Sequence, residues 1–138
     1  MVAYNFQKQF AEPIRSGLKT HTIRRDGKRR HARPGEHLQL YTGMRTRSCE
    51  KIIPDPICSA VHPIIILVGE TSIHRITIER NGSVHSLEKL GQFAIDDGFE
   101  SLEAFHRFWK DFHGVGAFQG RLISWGDFWI DNYDAPKD

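Results

Sequence analysis

The chain has 138 residues, 39% of them apolar and 26% charged, with eight histidines and a formal net charge of +2. That length suits one domain with one core and is too short for two, and the composition excludes wholesale disorder. The longest apolar run, Ile64 to Gly69, is far too short to span a bilayer, so no membrane partner is expected.

Val2 to Phe6 has the composition of a first strand. KQFAEPIRSG predicts a short helical turn stopped by Gly17 and kept irregular by Pro13, which lacks a backbone donor. A basic loop over residues 24–34 follows. Within it, the glycine and repelling like charges of Gly27 to Arg33 argue for mobility, in the manner of a lid that settles on an anion. Pro34-Gly35 marks a turn into a strand in which Leu38, Leu40 and Thr42 alternate with His37, Gln39 and Tyr41.

ICSAVHPIIILVGE predicts a long apolar strand region broken or bulged at Pro63, because proline cannot donate into a central ladder. SIHRITIER alternates and ends in Asn81-Gly82, a strong hairpin signal. Two helices come next. Ser86 is the expected cap of the first, with Leu87, Leu90, Phe93 and Ala94 on one face and Gly98 at its end. Ser101 is the expected cap of the second, whose Leu102, Phe105, Phe108, Trp109 and Phe112 form an apolar stripe assigned to the core. A closing strand region carries Trp125, Phe128 and Trp129, and a polar tail runs from about residue 131 to 138. The order predicts a single α+β domain over 1–138, a partly closed β-barrel capped by helices.

Charge is segregated along this chain. Arg15 to Arg47 holds ten basic residues against two acids, Asp26 and Glu36, a local balance of +8 that leaves −6 for the remainder. Such a segment is the footprint of a protein that meets phosphates, although a solvated surface loop would look the same by charge alone. Cys49 and Cys58 form no CxxC pair and have no zinc-finger spacing, so no metal is expected. With no apolar stretch behind a basic start, the chain reads as a reduced, cytoplasmic protein.

Lys19, Thr20, His21, Thr22 and Arg24 fall within six positions. In an extended THTIR, Thr20, Thr22 and Arg24 share one face while His21 and Ile23 take the other. A threonine beside a lysine and an arginine offers a hydroxyl nucleophile, an amine base and a cationic oxyanion donor, the parts of a covalent acyl transfer. Phosphate contact or plain surface is the commoner use of such residues. His21, His31 and His37 read as polar surface of the same region.

FAEPIRSGLKTHTIR, RPGEHLQLYTGMRT, FAIDDGFESLEAFHRFW and GRLISW together resemble the ASCH domain family, whose fold is related to PUA domains. The signature G-x-K-T-x-T-x-R is matched at Gly17, Lys19, Thr20, Thr22 and Arg24, followed by Pro34-Gly35 and by D-G-F at Asp97 to Phe99. The resemblance covers roughly residues 3 to 126. It implies a β-barrel with helices around it and a basic cleft for RNA or modified nucleotides. Some compact bacterial members look like amidohydrolases that remove the acyl group from N4-acetylcytidine, while others have been taken for RNA-binding modules or single-strand ribonucleases.

In the amidohydrolase members a Lys, a Thr and an acid form the catalytic set. By motif the first two fall on Lys19 and Thr22 and the acid near Asp97, where the family's enzymes prefer the longer Glu. Glu70 and Glu79 are the alternative acids. Arg24 or backbone donors would hold the oxyanion, and Tyr41, Arg45 and Ser124 are further candidates for contact with the substrate. Arg25, Lys28, Arg29 and Arg30 are the candidate nucleic-acid contacts. The scheme uses no cofactor, and its partner is an acylated nucleoside or RNA. The rivals are a non-catalytic RNA-binding module and a metal-dependent single-strand ribonuclease, for which the sequence offers no ready acid/base pair and no dense carboxylate cluster.

Overall fold

The computed structural model describes residues 1–135, so the last three positions of the expected tail lie outside the described residues. The architecture is α+β, with two mostly antiparallel sheets and few helices. β1 (Val2–Phe6), β3 (Leu38–Thr42) and β4 (Glu50–Lys51) form a three-stranded sheet in the order β1-β3-β4, with β1 and β3 parallel. The larger sheet is antiparallel. It holds β2 (His21–Arg25), β5 (Ala60–Val68), β6 (Ile73–Arg80), β7 (Ser83–Ser86) and β8 (Gly116–Ser124) in the order β2-β8-β5-β6-β7. Helices α1 (Ala11–Arg15), α2 (Leu90–Asp96) and α3 (Leu102–Phe112) complete the frame.

The two sheets do not form a closed barrel. On one side backbone bonds stitch the sheets together: Leu38 N–H donates to Pro56 O at 2.8 Å, Cys58 N–H donates to Glu36 O at 2.7 Å, and His37 bridges Ile57 just ahead of β5. On the other side the edge strands β1 and β2 share no ladder. Two guanidinium groups take the edge carbonyls instead. Arg24 Nη2 donates to Asn5 O at 2.8 Å, and Arg29 Nη2 donates to Ala3 O at 3.4 Å. Alternate carbonyls of an edge strand face the same way, so arginines satisfy what another strand would have paired. The seam between β1 and β2 therefore stays open.

Two apolar clusters flank that seam. One packs α2 and α3 on the larger sheet around Ile66, Ile76, Ile78, Phe93, Phe105 and Leu122. The other packs α1 on the smaller sheet around Phe6, Phe10, Ile14, Leu38, Leu40 and Ile123. Phe99 and Phe108 lean on both clusters and join them.

Several local expectations are corrected by pairing. β5 runs unbroken through Pro63, which faces Arg121 of β8, because the ladder to β6 begins only at Ile64. The irregularity falls at Leu67 and Val68, which face Arg75 and Ile73. His74 is the extra residue on β6, and the bulge lets Ile73 and Ile76, three positions apart, both point inward. Asn81 and Gly82 take positive φ values of 52° and 80°, as a two-residue hairpin turn requires.

Ser86 is not a helix cap; it ends β7 opposite Thr77. The donors ahead of α2 are met by the chain's end instead: Glu88 N–H and Lys89 N–H both donate to Tyr133 O. The tail is thus docked through residue 133, with Tyr133 buried and its hydroxyl donating to Asp96 Oδ2 at 2.6 Å. Ser101 does cap α3, its Oγ accepting from Ala104 N–H at 3.1 Å. The stripe behind it is core at Phe105 and Trp109, but Phe112 is 64% exposed.

Candidate active site

The turn after α2 explains why D-G-F is placed where it is. Gly98 has φ 95°; its N–H donates to Ile95 O at 2.9 Å, and Phe99 N–H donates to Ala94 O at 3.0 Å. These two bonds are those of a Schellman helix end. A side chain at Gly98 would also put its Cβ 3.0 Å from Lys19 Cδ and 3.1 Å from Phe10 Cδ1. Glycine is required twice, for the left-handed turn and for the lysine that lies against it.

Lys19 Nζ donates to Asp97 O at 2.6 Å and to Asp97 Oδ1 at 2.7 Å. The ammonium therefore meets a helix-terminal carbonyl and a carboxylate of the same residue, both favourable to positive charge. Lys19 is 2% exposed and Asp97 3%. Charges so buried persist only when paired and hydrogen-bonded. His21 Nε2 lies 3.2 Å from the same oxygen, Asp97 Oδ1, but outside hydrogen-bond geometry, so that this buried nitrogen has no partner among the described residues. Its ring stacks on Phe93 at 5.4 Å.

The two charges feel this environment differently. Burial pushes the Lys19 ammonium below the ordinary lysine value, and the attraction of Asp97 offsets only part of that; Arg24 pushes the same way as burial. Burial also works to raise the Asp97 carboxyl, but the charge of Lys19, followed by His21, outweighs it and holds the acid below its usual range. The carboxylate stays ionised beside a lysine that gives up its proton more readily than a free one.

Thr22 and Arg24 project from the same face of β2. Thr22 is 5% exposed, and Arg24 Nε donates to its Oγ1 at 3.3 Å. The Arg24 guanidinium lies over the Phe6 ring at 4.7 Å and the Tyr4 ring at 5.3 Å. Lys19, Thr22, Arg24 and Asp97 all line one cavity of about 490 Å³ in the open seam. Phe6, Phe10, Phe99, Phe108 and Phe112 make its wall, which accounts for the exposure of Phe112 on α3. Its size falls within the range of about 300–1,000 Å³ typical of small-molecule sites. Trp109 also lines it, with an indole Nε1–H that has no acceptor among the described residues.

A second groove, of about 640 Å³, adjoins the first and shares Asn5, Arg24 and Arg25 with it. Lys28, Arg29, Arg30 and Arg45 line this groove. Arg30 is already engaged in a two-pronged bond to Glu36, at 2.6 Å on each oxygen, which holds the Glu36 carboxyl far below the usual carboxylate range. Tyr41 and Ser124 line neither space. Tyr41 sits on β3 under Lys51, and Ser124 is fully buried, hydrogen-bonded with Ser59 and Gly126. Glu70 is exposed beside Lys110 and Glu79 is exposed on β6, both outside the cavity.

Reading the sequence as polar surface missed His21, which is buried against Asp97. A signal existed, since alternation put His21 on the inward face with Ile23. It also missed Asn5 and the aromatic wall, whose residues come from β1, the 3-10 turn ahead of α1, the loop after α2 and α3, and carry no common motif. Among the described residues no three His, Cys, Asp or Glu side chains gather to hold a metal ion, and no helix is long and apolar enough to cross a membrane. Cys49 is an exposed free thiol and Cys58 a buried one.

Comparison of the chain with protein-family models finds no match, and none is found among curated proteins or solved structures. The functional reading therefore rests on the side chains around the seam.

Proposed function

We propose that the chain is an amidohydrolase of the ASCH type, on a PUA-like fold, that removes the acyl group from N4-acylated cytosine nucleosides. The observation that carries this reading is the convergence of Lys19, Thr22, Arg24 and Asp97 on one aromatic-walled cavity. The aromatic wall suits a flat base, and the polar group suits its acylamide. Lys19 makes two hydrogen bonds, both to Asp97, so that loss of its third hydrogen leaves a lone pair free to take a proton from an occupant of the site.

Thr22 Oγ1 attacks the amide carbonyl carbon as neutral Lys19 takes the hydroxyl proton, and negative charge gathers on the carbonyl oxygen beside Arg24. The tetrahedral species collapses by breaking the bond to the exocyclic nitrogen, which leaves as the cytosine amine with the proton held by Lys19. Water then attacks the acyl-threonine ester, with Lys19 again the base, and releases the carboxylic acid. Asp97 fixes the lysine in place. The resemblance favours a longer Glu at this role, and the shorter Asp97 reaches because the end of α2 also presents its main-chain carbonyl to Lys19.

Acyl removal changes the cytosine chromophore, so ultraviolet absorbance follows turnover of N4-acetylcytidine directly. Turnover persists with chelator present, and Thr22→Ala lowers kcat by about 10⁴-fold or more while the thermal midpoint stays close to the parent's. A folded parent that leaves the acyl group intact overturns the reading. The basic groove supports a second one, a non-catalytic RNA-binding module, which the same assay separates: RNA binding without acyl removal is its signature.

A further inference from the structure

Among the described residues no carboxylate lines the groove beside the cavity. The nearest acid on its loop, Asp26, is already shared by His31 at 3.0 Å and Arg121 at 3.4 Å. Arg25, Lys28, Arg29 and Arg45, by contrast, make no ion pair with any described residue. Four uncompensated cations lining one concave surface raise the local concentration of anions and give them charge-assisted bonds.

The groove is also held in shape. Arg45 has φ 66°, a left-handed conformation that is uncommon outside glycine, asparagine and aspartate, and the turn carrying it is fastened on both sides. Met44 N–H donates to Asn5 Oδ1 at 2.9 Å, and Thr46 Oγ1 donates to Gly43 O at 2.6 Å. Asn5 thus anchors the Arg45 turn to β1 while its own carbonyl accepts from Arg24. Arg24 stands at the junction, its Nε on Thr22 Oγ1 and its Nη2 on Asn5 O. One arginine side chain separates the nucleophile from the groove.

We propose that this groove is a phosphate subsite of the same active site, so that the acylated cytosine enters with a phosphate on its ribose. The inference rests on the catalytic reading of the cavity and names its substrate class. The phosphate is either the terminal group of a nucleotide or a bridging group of an RNA strand, and both would use the same cations.

The test compares kcat/KM for N4-acetylcytidine, its 5′- and 3′-monophosphates and a single-stranded trinucleotide carrying one acetylated cytosine, at low and high salt. The phosphorylated substrates are expected to exceed the nucleoside by about tenfold or more at low salt, with the advantage shrinking as salt rises. In Lys28→Ala/Arg45→Ala that advantage collapses. Gain by the trinucleotide alone assigns a bridging phosphate, and gain by a monophosphate assigns a terminal one. Titration calorimetry of the same protein with cytidine, cytidine 5′-monophosphate and an unmodified cytidine trinucleotide reads the groove independently of chemistry. If no acyl substrate turns over but phosphorylated ligands still bind about tenfold tighter than cytidine, the catalytic reading falls and the groove stands. Equal kcat/KM together with equal affinity across the series overturns the phosphate subsite and leaves the catalytic reading untouched.

Discussion

The two ends of β2 carry the same kind of charge in opposite circumstances. At its start Lys19 and His21 are buried, and the lysine is matched to one carboxylate at hydrogen-bond distance. At and past its end Arg25, Lys28 and Arg29 face solvent, with no ion-pair partner among the described residues. Burial makes an unpaired charge expensive, so the inner group must be fixed in one arrangement, and the same desolvation shifts its protonation. Exposure makes charge cheap and leaves it free for a ligand. On the proposed reading the inner end serves chemistry on a proton and the outer end holds an anion.

Breaking the inner pair is expected to have the largest effect on stability. Asp97→Asn leaves an ammonium buried without its countercharge, and Lys19→Met does the same to the carboxylate. Each should lower the unfolding free energy by about 3–5 kcal/mol, read from urea denaturation. Lys19→Met/Asp97→Leu removes both charges and restores apolar volume, so it should recover much of the loss yet show no acyl removal. A double variant as unstable as the singles would show that the seam depends on these hydrogen bonds rather than on charge balance.

An effect of pH follows from the same pair. Asp97 is held below its unfolded value, so the unfolded chain binds more protons in the acid range, and the stabilisation is lost as pH falls through the lowered carboxylate value. Lys19 is also lowered, so between its folded value and the ordinary lysine value the unfolded chain again binds more protons and stability rises with pH. Both groups give slopes of one sign, in separate windows. Urea midpoints across pH should show the acid slope shrink in Lys19→Met/Asp97→Leu, with the lowered Glu36 carboxyl contributing to what remains, and the rate profile of acyl removal should rise through a lysine value below the ordinary one. An acid slope unchanged in that variant would assign it to other carboxylates.

The frame of this arrangement was legible where side chains repeat with the period of their element. Composition identified β1, alternation identified β3 and β6, and Ser101 marked the start of α3. Legibility ended where partners distant in sequence decide. Ser86 has the character of a cap, but a strand partner claims it, and Tyr133 meets the donors ahead of α2 from the far end of the chain. Phe112 continues an apolar stripe whose last turn runs past the core to the mouth of a cavity. Lys19, Thr22 and Asp97 were named by motif, but nothing in the motif says that arginines, rather than a strand, would satisfy the β1 edge and leave the seam open. Tyr41 and Ser124 face away because strand sidedness is fixed only once register is known.

The smallest effect on stability should come from the outer end, and there the comparison is sharpest. Lys28 has no hydrogen-bonded or ion-paired partner among the described residues, so Lys28→Ala should shift the unfolding free energy by no more than about 0.5 kcal/mol. Its influence should appear instead in salt dependence. For a cytidine oligonucleotide, the slope of log affinity against log salt should flatten by about one unit in the variant, the share of one phosphate contact. A charge that contributes to binding and not to the fold would show that pairing, not charge type, separates the two ends of β2. A stability loss comparable to that of Asp97→Asn would mean that the loop is part of the folded frame and that the distinction fails.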